Sequence, residues 1–360
     1  MGDDGGPAGR GGARRLLVAP DKFRGSLTAS EVVAAVREAA EAVGWQVEGM
    51  PLADGGEGML EAFGGPTRTS WVTGPSRTPV EVAWRLGDDG VAVVESAAAS
   101  GLALAGGASG NDPMTATSAG TGELVAEAVL AGARRVVVGL GGSAMTDGGL
   151  GAVQAVLWRL GGDRPVDRGV ELLAACDVQT VLTDAARVFG PQKGADPAQV
   201  EELTARLERV QDAYVQEFGV QLAQVGVDLP TQPGGGAAGG LGAGLLVLGG
   251  RLVPGFRLVA EQVGLPAALA RADAVVTGEG ALDAESFNGK VVGGVTDLAS
   301  RYGIPVVVLV GTIRPDAPSG RLQQVHAVDL SVRFGPHASW QHTARCLRRA
   351  TREQLARLQP

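Results

Sequence analysis

Four times in this chain a short apolar run ends in glycines mixed with carboxylates. Residues 16–19 lead into Asp21-Lys22-Phe23-Arg24-Gly25-Ser26, and residues 47–52 into Asp54-Gly55-Gly56-Glu57-Gly58. Residues 135–140 lead into Gly141-Gly142-Ser143-Ala144-Met145-Thr146-Asp147-Gly148-Gly149, and residues 274–277 into Gly278-Glu279-Gly280-Ala281-Leu282-Asp283. Each run reads as a strand and each cluster as the loop at its C-terminal end. In open α/β sheets that edge holds ligands, because neighbouring loops diverge there and helix N-termini present unpaired N–H groups. One such loop would be an ordinary turn. Four that carry both glycine and a carboxylate are not explained by turn geometry.

Composition narrows the class. The 57 glycines among 360 residues follow no collagen period, so they are local machinery. A chain of this length favours two domains over one core. With 45% hydrophobic and 19% charged residues it reads as globular, and no stretch approaches the roughly 18 apolar residues of a membrane span. The 31 Lys and Arg against 39 Asp and Glu give −8, which opposes a phosphate backbone, so neither nucleic acid nor membrane is an expected partner. Only two cysteines occur, and the first residues lack a signal-peptide apolar region, so a cytoplasmic location with reduced thiols is expected. All three histidines lie near the C-terminus, which leaves no evident source for a His metal cage or a Ser-His-Asp triad among the glycines. A metal here should have oxygen ligands.

Residues 1–13 have no apolar periodicity and read as a flexible tail. After the first strand, Thr28 and Glu31 form a capping box ahead of Val32, Val33, Val36, Ala39, Ala40 and Val43 at helical spacing. With residues 47–52 as a second strand this is a βαβ unit, hence a parallel sheet. Residues 67–96 alternate in runs broken by Gly74-Pro75 and Asp88-Asp89-Gly90, which predicts antiparallel hairpins in a different domain. Helix 121–131, strand 135–140, helix 150–160 and a long helix opened by Asp196-Pro197 follow, the last with Val200, Leu203, Leu207, Val210 and Tyr214 on a packing stripe. Strands at 274–277, 304–310 and 327–332, a helix at 291–302 and a final Arg-rich helix from about Ser339 restore the α/β rhythm. The expected division is residues 14–65 with 262–360 as a Rossmann-like parallel-sheet α/β domain, and residues 66–261 as an inserted second α/β domain containing the hairpins.

The mixture of groups indicates phosphoryl transfer. Glycine lets backbone N–H groups approach an anion; Lys22, Arg24, Lys193 and Lys290 could neutralise phosphate or a carboxylate; Asp54, Glu57, Asp147, Glu279 and Asp283 are hard oxygen ligands suited to Mg²⁺. No G-x-x-x-x-G-K-[ST], no protein-kinase set and no dinucleotide fingerprint occurs. Plainer roles compete with these. Asp54 and Asp147 could be caps or Asx turns, Ser143 a cap, Lys290 a surface lysine, and the run 233–244 close helix packing or a hinge.

At these clusters the chain resembles the bacterial glycerate kinases of the type found in glyoxylate and glucarate catabolism. The matching segments are APDKFRGSLTA (19–29), LADGGEG (52–58), ESAAASGL (95–102), DPMTATSAGTGELV (112–125), GLGGSAMTDGG (139–149), ACDV (175–178), VFGPQKGA (188–195), GGGAAGGLGAG (234–244) and ADAVVTGEGALD with GK at 289–290. The chain departs from that family at Thr146, at Gln179-Thr180-Val181-Leu182 and at Asn288. The resemblance implies ATP-dependent phosphorylation of D-glycerate to 2-phosphoglycerate with Mg²⁺, and an active site in an interdomain cleft. On that reading Asp283, Lys193 and Lys22 are the expected catalytic residues. Asp21, Arg24, Ser26, Gly55, Gly56, Gly142, Ser143, Gly278, Gly280 and Lys290 are expected to bind substrate or phosphate, and Asp54, Glu57, Asp147 and Glu279 to hold the metal. The departures leave open a kinase for another small hydroxy acid. A catalytically silent relative and a nucleotide-binding oxidoreductase are the rivals from other classes.

Overall fold

A computed structural model describes residues 14–358, so the tail expected at residues 1–13 lies outside the described residues. The chain divides into two units, one formed by residues up to Pro51 together with those from Gly264 onward, the other by Leu52–Val263. The first boundary falls at Pro51 rather than after residue 65. The physical reason is Glu95 of the second unit, whose Oε1 accepts N–H groups of Gly58 and Leu60 at 3.0 and 2.8 Å and so ties that loop to the second sheet. In chain order the strands are β1 Arg15–Val18, β2 Gln46–Gly49, β3 Arg68–Thr73, β4 Pro79–Leu86, β5 Val91–Glu95, β6 Arg135–Gly139, β7 Glu171–Ala175, β8 Arg251–Val253, β9 Ala274–Leu282, β10 Val306–Ile313 and β11 His326–Asp329.

The first unit is a five-stranded sheet in the order β11-β10-β9-β1-β2, with every pair parallel. From β1 the chain moves to β2 on one side and later returns to β9 on the other, so the order reverses between β1 and β9. That reversal opens a crevice at the carboxyl ends of these two strands. Helix Ala29–Glu41 begins as its capping box dictates, with Glu31 N–H donating to Thr28 Oγ1 and Thr28 N–H to Glu31 Oε2. Its apolar face joins Leu16, Val18, Val276, Val307, Leu309 and Leu347 in one core. Several strand ends differ from expectation: β2 stops at Gly49 rather than at residue 52, and β10 spans Val306–Ile313 rather than 304–310. β9 runs on through its glycines to Leu282, in register with β10 as far as Ile313. The expected strand 327–332 ends at Asp329, whose carboxylate accepts from Val332 N–H and opens helix Leu330–Phe334.

The second unit is a six-stranded sheet in sequential order from β3 to β8. β3, β4 and β5 pair antiparallel as the predicted hairpins, and β5 to β8 pair parallel. Trp84 is fully buried and affordable there because its indole N–H donates to Ser70 Oγ at 2.8 Å. The long helix Pro197–Gln224 is capped by Asp196 and Gln199 and buries Leu203, Leu207, Val210 and Tyr214, the expected stripe. Among the described residues no helix is long and apolar enough to cross a membrane.

Helices Ala119–Leu130 and Leu150–Arg159 cross at Gly122, where an added Cβ would collide with the main chain of Ala152. Gly122→Val should therefore cost about 1–3 kcal/mol through overpacking. Gly320→Ala, which would meet nothing within 4 Å, should stay within about 0.5 kcal/mol of the parent. Guanidinium titrations followed by circular dichroism measure both; equal midpoints for the two variants would contradict this packing.

Candidate active site

In the second unit the loop from Gly141 to Gly149 follows β6 and is held from all sides by groups of the same unit. Lys193 Nζ donates to Ser143 Oγ at 3.0 Å and to the Met145 carbonyl at 2.6 Å. Asn111 Nδ2 donates to the carbonyls of Ala144 and Lys193, and Tyr214 O–H donates to the Gly148 carbonyl at 3.1 Å. Burial pushes the Lys193 ammonium down to about 7, with the nearby Asp147 carboxylate working in the opposite direction. Burial likewise raises the Tyr214 phenol above its ordinary range, with Asp147 adding to it.

Asp147 occupies the point where two helices begin. Its Oδ2 accepts from Ser118 N–H and O–H, both at 2.8 Å, and from Gly151 N–H; its Oδ1 accepts from Gly149 N–H. An anion at two helix N-termini is stabilised by both the unpaired N–H groups and the dipoles. With four donors on its oxygens, Asp147 is a brace for the loop. The run 233–244 packs closely, as one of its two sequence readings had it. Ala238, Gly239 and Gly240 adopt left-handed φ values of 52°, 67° and 95°, and a Cβ on Gly239 or Gly240 would strike the main chain of Met145 or Gly148.

Beside this loop, a Cβ on Gly55 would lie 2.8 Å from Ala175 and Gly255, and one on Gly141 2.9 Å from Gly56. The 54–58 loop therefore lies on the carboxyl edge of β6 and β7, with Asp54 half-buried and Glu57 exposed. Gly142 is exposed and Ser143 only 8% accessible. Asp177, just past β7, accepts Gly255 N–H at 2.8 Å and fixes the neighbouring turn.

The first unit brings the other expected residues together at its switch point. Asp21 N–H donates to the Gly278 carbonyl, and a Cβ on Gly280 would lie 3.1 Å from Arg24 N, so the loop after β1 rests directly on β9. Lys22 pairs with Asp21 at 3.7 Å, and Lys290 with Glu285 at 3.1 Å. Ser26 bonds Thr343 of the C-terminal helix and so anchors the loop from behind, while Arg24 is exposed. Asp283 Oδ1 accepts Glu285 N–H and Ser286 O–H, which closes a tight turn. Glu279 Oε1 is buried with no hydrogen-bond partner among the described residues. Burial pushes its carboxyl up to about 7; Asp21 and Asp283 add to the rise, while the Ser286 hydroxyl and Lys290 oppose it.

Sequence reasoning gave no site role to Glu95, Asn111, Ser118 or Asp177, and read Tyr214 only as part of a packing stripe. Glu95 and Asp177 carried a usable signal, since each ends or closely follows an apolar strand as the chosen carboxylates do. Ser118 lay in the matching segment 112–125 without a role, and Asn111 carried no signal.

The comparisons with known proteins agree with one another. The model of the glycerate kinase family matches residues 16–165 and 162–359. Glycerate 2-kinase of Escherichia coli K12 is 36% identical over 349 residues, covering 88% of this chain and 89% of the relative. Glycerate kinase of Bacillus subtilis 168 is 36% identical over 382 residues, covering 95% and 97%. A crystal structure described as a glycerate kinase 2, from Salmonella typhimurium LT2, superposes with a TM-score of 0.79 at 34% identity, covering 96% of this chain and 98% of that one.

The raised Glu279 carboxyl makes a pH prediction. Its ordinary value is 4.5 and its folded value about 7, so the fold binds the extra proton in between. That stabilisation is complete below about 4.5 and is lost as pH rises through about 7. Glu279→Gln cannot ionise, so it should gain in melting temperature relative to the parent between about pH 5 and about pH 8. A melting-temperature difference that stays flat over this window would contradict the burial of this carboxyl.

Proposed function

Because the chain belongs to the glycerate kinase family, we propose that it transfers the γ-phosphoryl group of ATP to the 2-hydroxyl of D-glycerate, giving 2-phosphoglycerate. The observation that carries this reading is the set of groups at the switch point of the first unit. There the buried, unpartnered oxygen of Glu279 shares its surroundings with Asp21, Asp283 and Lys290. Carboxylates beside fixed cations suit a nucleotide phosphate that arrives with a hard cation.

Asp283 is the proposed group for the acid–base step. Its Oδ1 is engaged in the 283–286 turn, which fixes the side chain so that Oδ2 can take the proton of the 2-hydroxyl. As that proton leaves, the 2-oxygen forms its bond to the γ-phosphorus, the bond from that phosphorus to the bridging oxygen breaks, and ADP departs. Lys22, held by its ion pair with Asp21, offsets the charge that develops on the phosphoryl oxygens. The glycine loop of the second unit supplies backbone N–H groups and the Ser143 hydroxyl for an anionic ligand, and Lys193 keeps that loop in shape.

The donor chemistry fits Mg²⁺, which needs only one or two protein carboxylates beside the phosphates. Within the first unit Glu279 is the first candidate ligand; Asp54 and Glu57 are separate candidates within the second unit. The cation would supply charge neutralisation on the phosphates.

Purified protein should release ADP with D-glycerate in a coupled assay, and excess chelator should abolish the release. A panel of small hydroxy acids would show glycerate as the preferred acceptor; no turnover of any member would leave the chain a silent relative. Asp283→Asn keeps the turn, because Asn accepts the same bonds, but it lacks the base. It should lose about 10²- to 10⁴-fold in kcat. Normal folding with kcat within about threefold of the parent would remove Asp283 from the proton transfer.

A further inference from the structure

The Gly141–Gly149 loop presents a serine whose hydrogen-bond polarity is decided by a buried lysine. In its charged form, which the nearby Asp147 carboxylate favours, the lysine has three N–H donors and no acceptor. Lys193 Nζ spends one donor on Ser143 Oγ at 3.0 Å and one on the Met145 carbonyl at 2.6 Å. Its backbone is fixed in turn, because Asn111 bridges the Lys193 and Ala144 carbonyls at 2.9 and 3.0 Å. Lys193 itself is 3% accessible, so solvent does not compete for these bonds. A donor on Ser143 Oγ occupies one of its lone pairs, and the serine proton must then be given to some acceptor other than lysine. Among the described residues no acceptor takes it. Ser143 retains 8% accessibility at the carboxyl edge of β6, beside the exposed Gly142.

We propose that Ser143 is a hydrogen-bond donor to an oxyanion of the substrates while Lys193 carries its charge, and that the charged Lys193 is the positioning residue that fixes this polarity. The inference rests on the kinase reading and adds to it a direction for one hydrogen bond and a division of labour between two residues. Lys193 then acts through Ser143 rather than by touching the ligand. The oxyanion could belong to a phosphoryl group or to the acid's carboxylate, since both offer charged oxygens to a short, charge-assisted bond.

A double-mutant cycle with Ser143→Ala, Lys193→Met and the pair together tests this, because residues that act as one unit are not additive. Removing one preorganised oxyanion donor costs about 10²- to 10³-fold in kcat. Ser143→Ala should show a loss of that order in kcat/KM, carried by kcat if the oxyanion is phosphoryl and by the KM for D-glycerate if it is the carboxylate. Lys193→Met should approach it, and the double variant should lose no more than the worse single one. Losses that multiply, or a Ser143→Ala variant within about threefold of the parent, would overturn the proposal.

Thermal shifts with ATP alone and D-glycerate alone supply a readout that needs no turnover. A ligand-induced shift that shrinks in Ser143→Ala for ATP assigns the oxyanion to phosphate; one that shrinks for D-glycerate assigns it to the carboxylate. Parent-like shifts with both ligands would also overturn the proposal. If Lys193→Met melts without a transition, Ser143→Ala still decides by these shifts. A parent that turns over no D-glycerate refutes the kinase reading alone, and the shifts judge Ser143 independently.

Discussion

Every peptide group in a buried glycine loop must find a partner, and in the second unit that requirement organises the surrounding elements. The glycines at 141, 142, 148 and 149 cannot hold the loop's shape by themselves; Asp147 braces it from within, and Lys193, Asn111 and Tyr214 fix it from outside. Those three come from different segments, so the helices and turns around the loop are committed to positions that let their donors and acceptors reach it. Asp147 does the most, joining two helix N-termini through one carboxylate. The glycines opposite, at 239 and 240, are required because any Cβ there would strike the loop's main chain. A loop fixed in this way can offer N–H groups to an anion without reorganising, which is where electrostatic stabilisation is most effective.

The first unit forms its carboxyl edge by a different route, through sheet topology. Reversal of strand order between β1 and β9 places the β1 loop against Gly278 and Gly280, and the extension of β9 carries Glu279 towards Asp21. Burial of Glu279 with one oxygen unsatisfied is costly in isolation. It is tolerable at neutral pH because the carboxyl holds its proton up to about 7. Asp283 follows directly where that extension ends at Leu282, with its geometry set by Ser286.

Much of this was legible in the sequence, and the failures have physical causes. Capping boxes at Thr28 and Asp196 were readable because their bonds are local, and the structure forms both. The hairpins after residue 67 were readable from period and turn residues. Extension of β9 through Gly278 and Gly280 was not, since glycine carries no strand signal and only the pairing with β10 holds it extended. The boundary at Pro51 was hidden because the bonds that decide it, from Glu95, span more than thirty residues. Lys193 was recognisable as a useful cation, but its burial and its two partners are tertiary facts. For Asp147, residue type was informative and role was not, because a carboxylate can serve a metal or a pair of helix N-termini equally well until its neighbours are known.

For the proposed phosphorylation at carbon 2 of a three-carbon hydroxy acid, the product itself is the most direct witness. Proton-coupled phosphorus NMR of the product formed from ATP and D-glycerate reads the attachment point from its splitting. Phosphate on the 2-oxygen faces one geminal proton and gives a doublet; phosphate on the 3-oxygen faces a methylene and gives a triplet. The account predicts the doublet, and a triplet would contradict it.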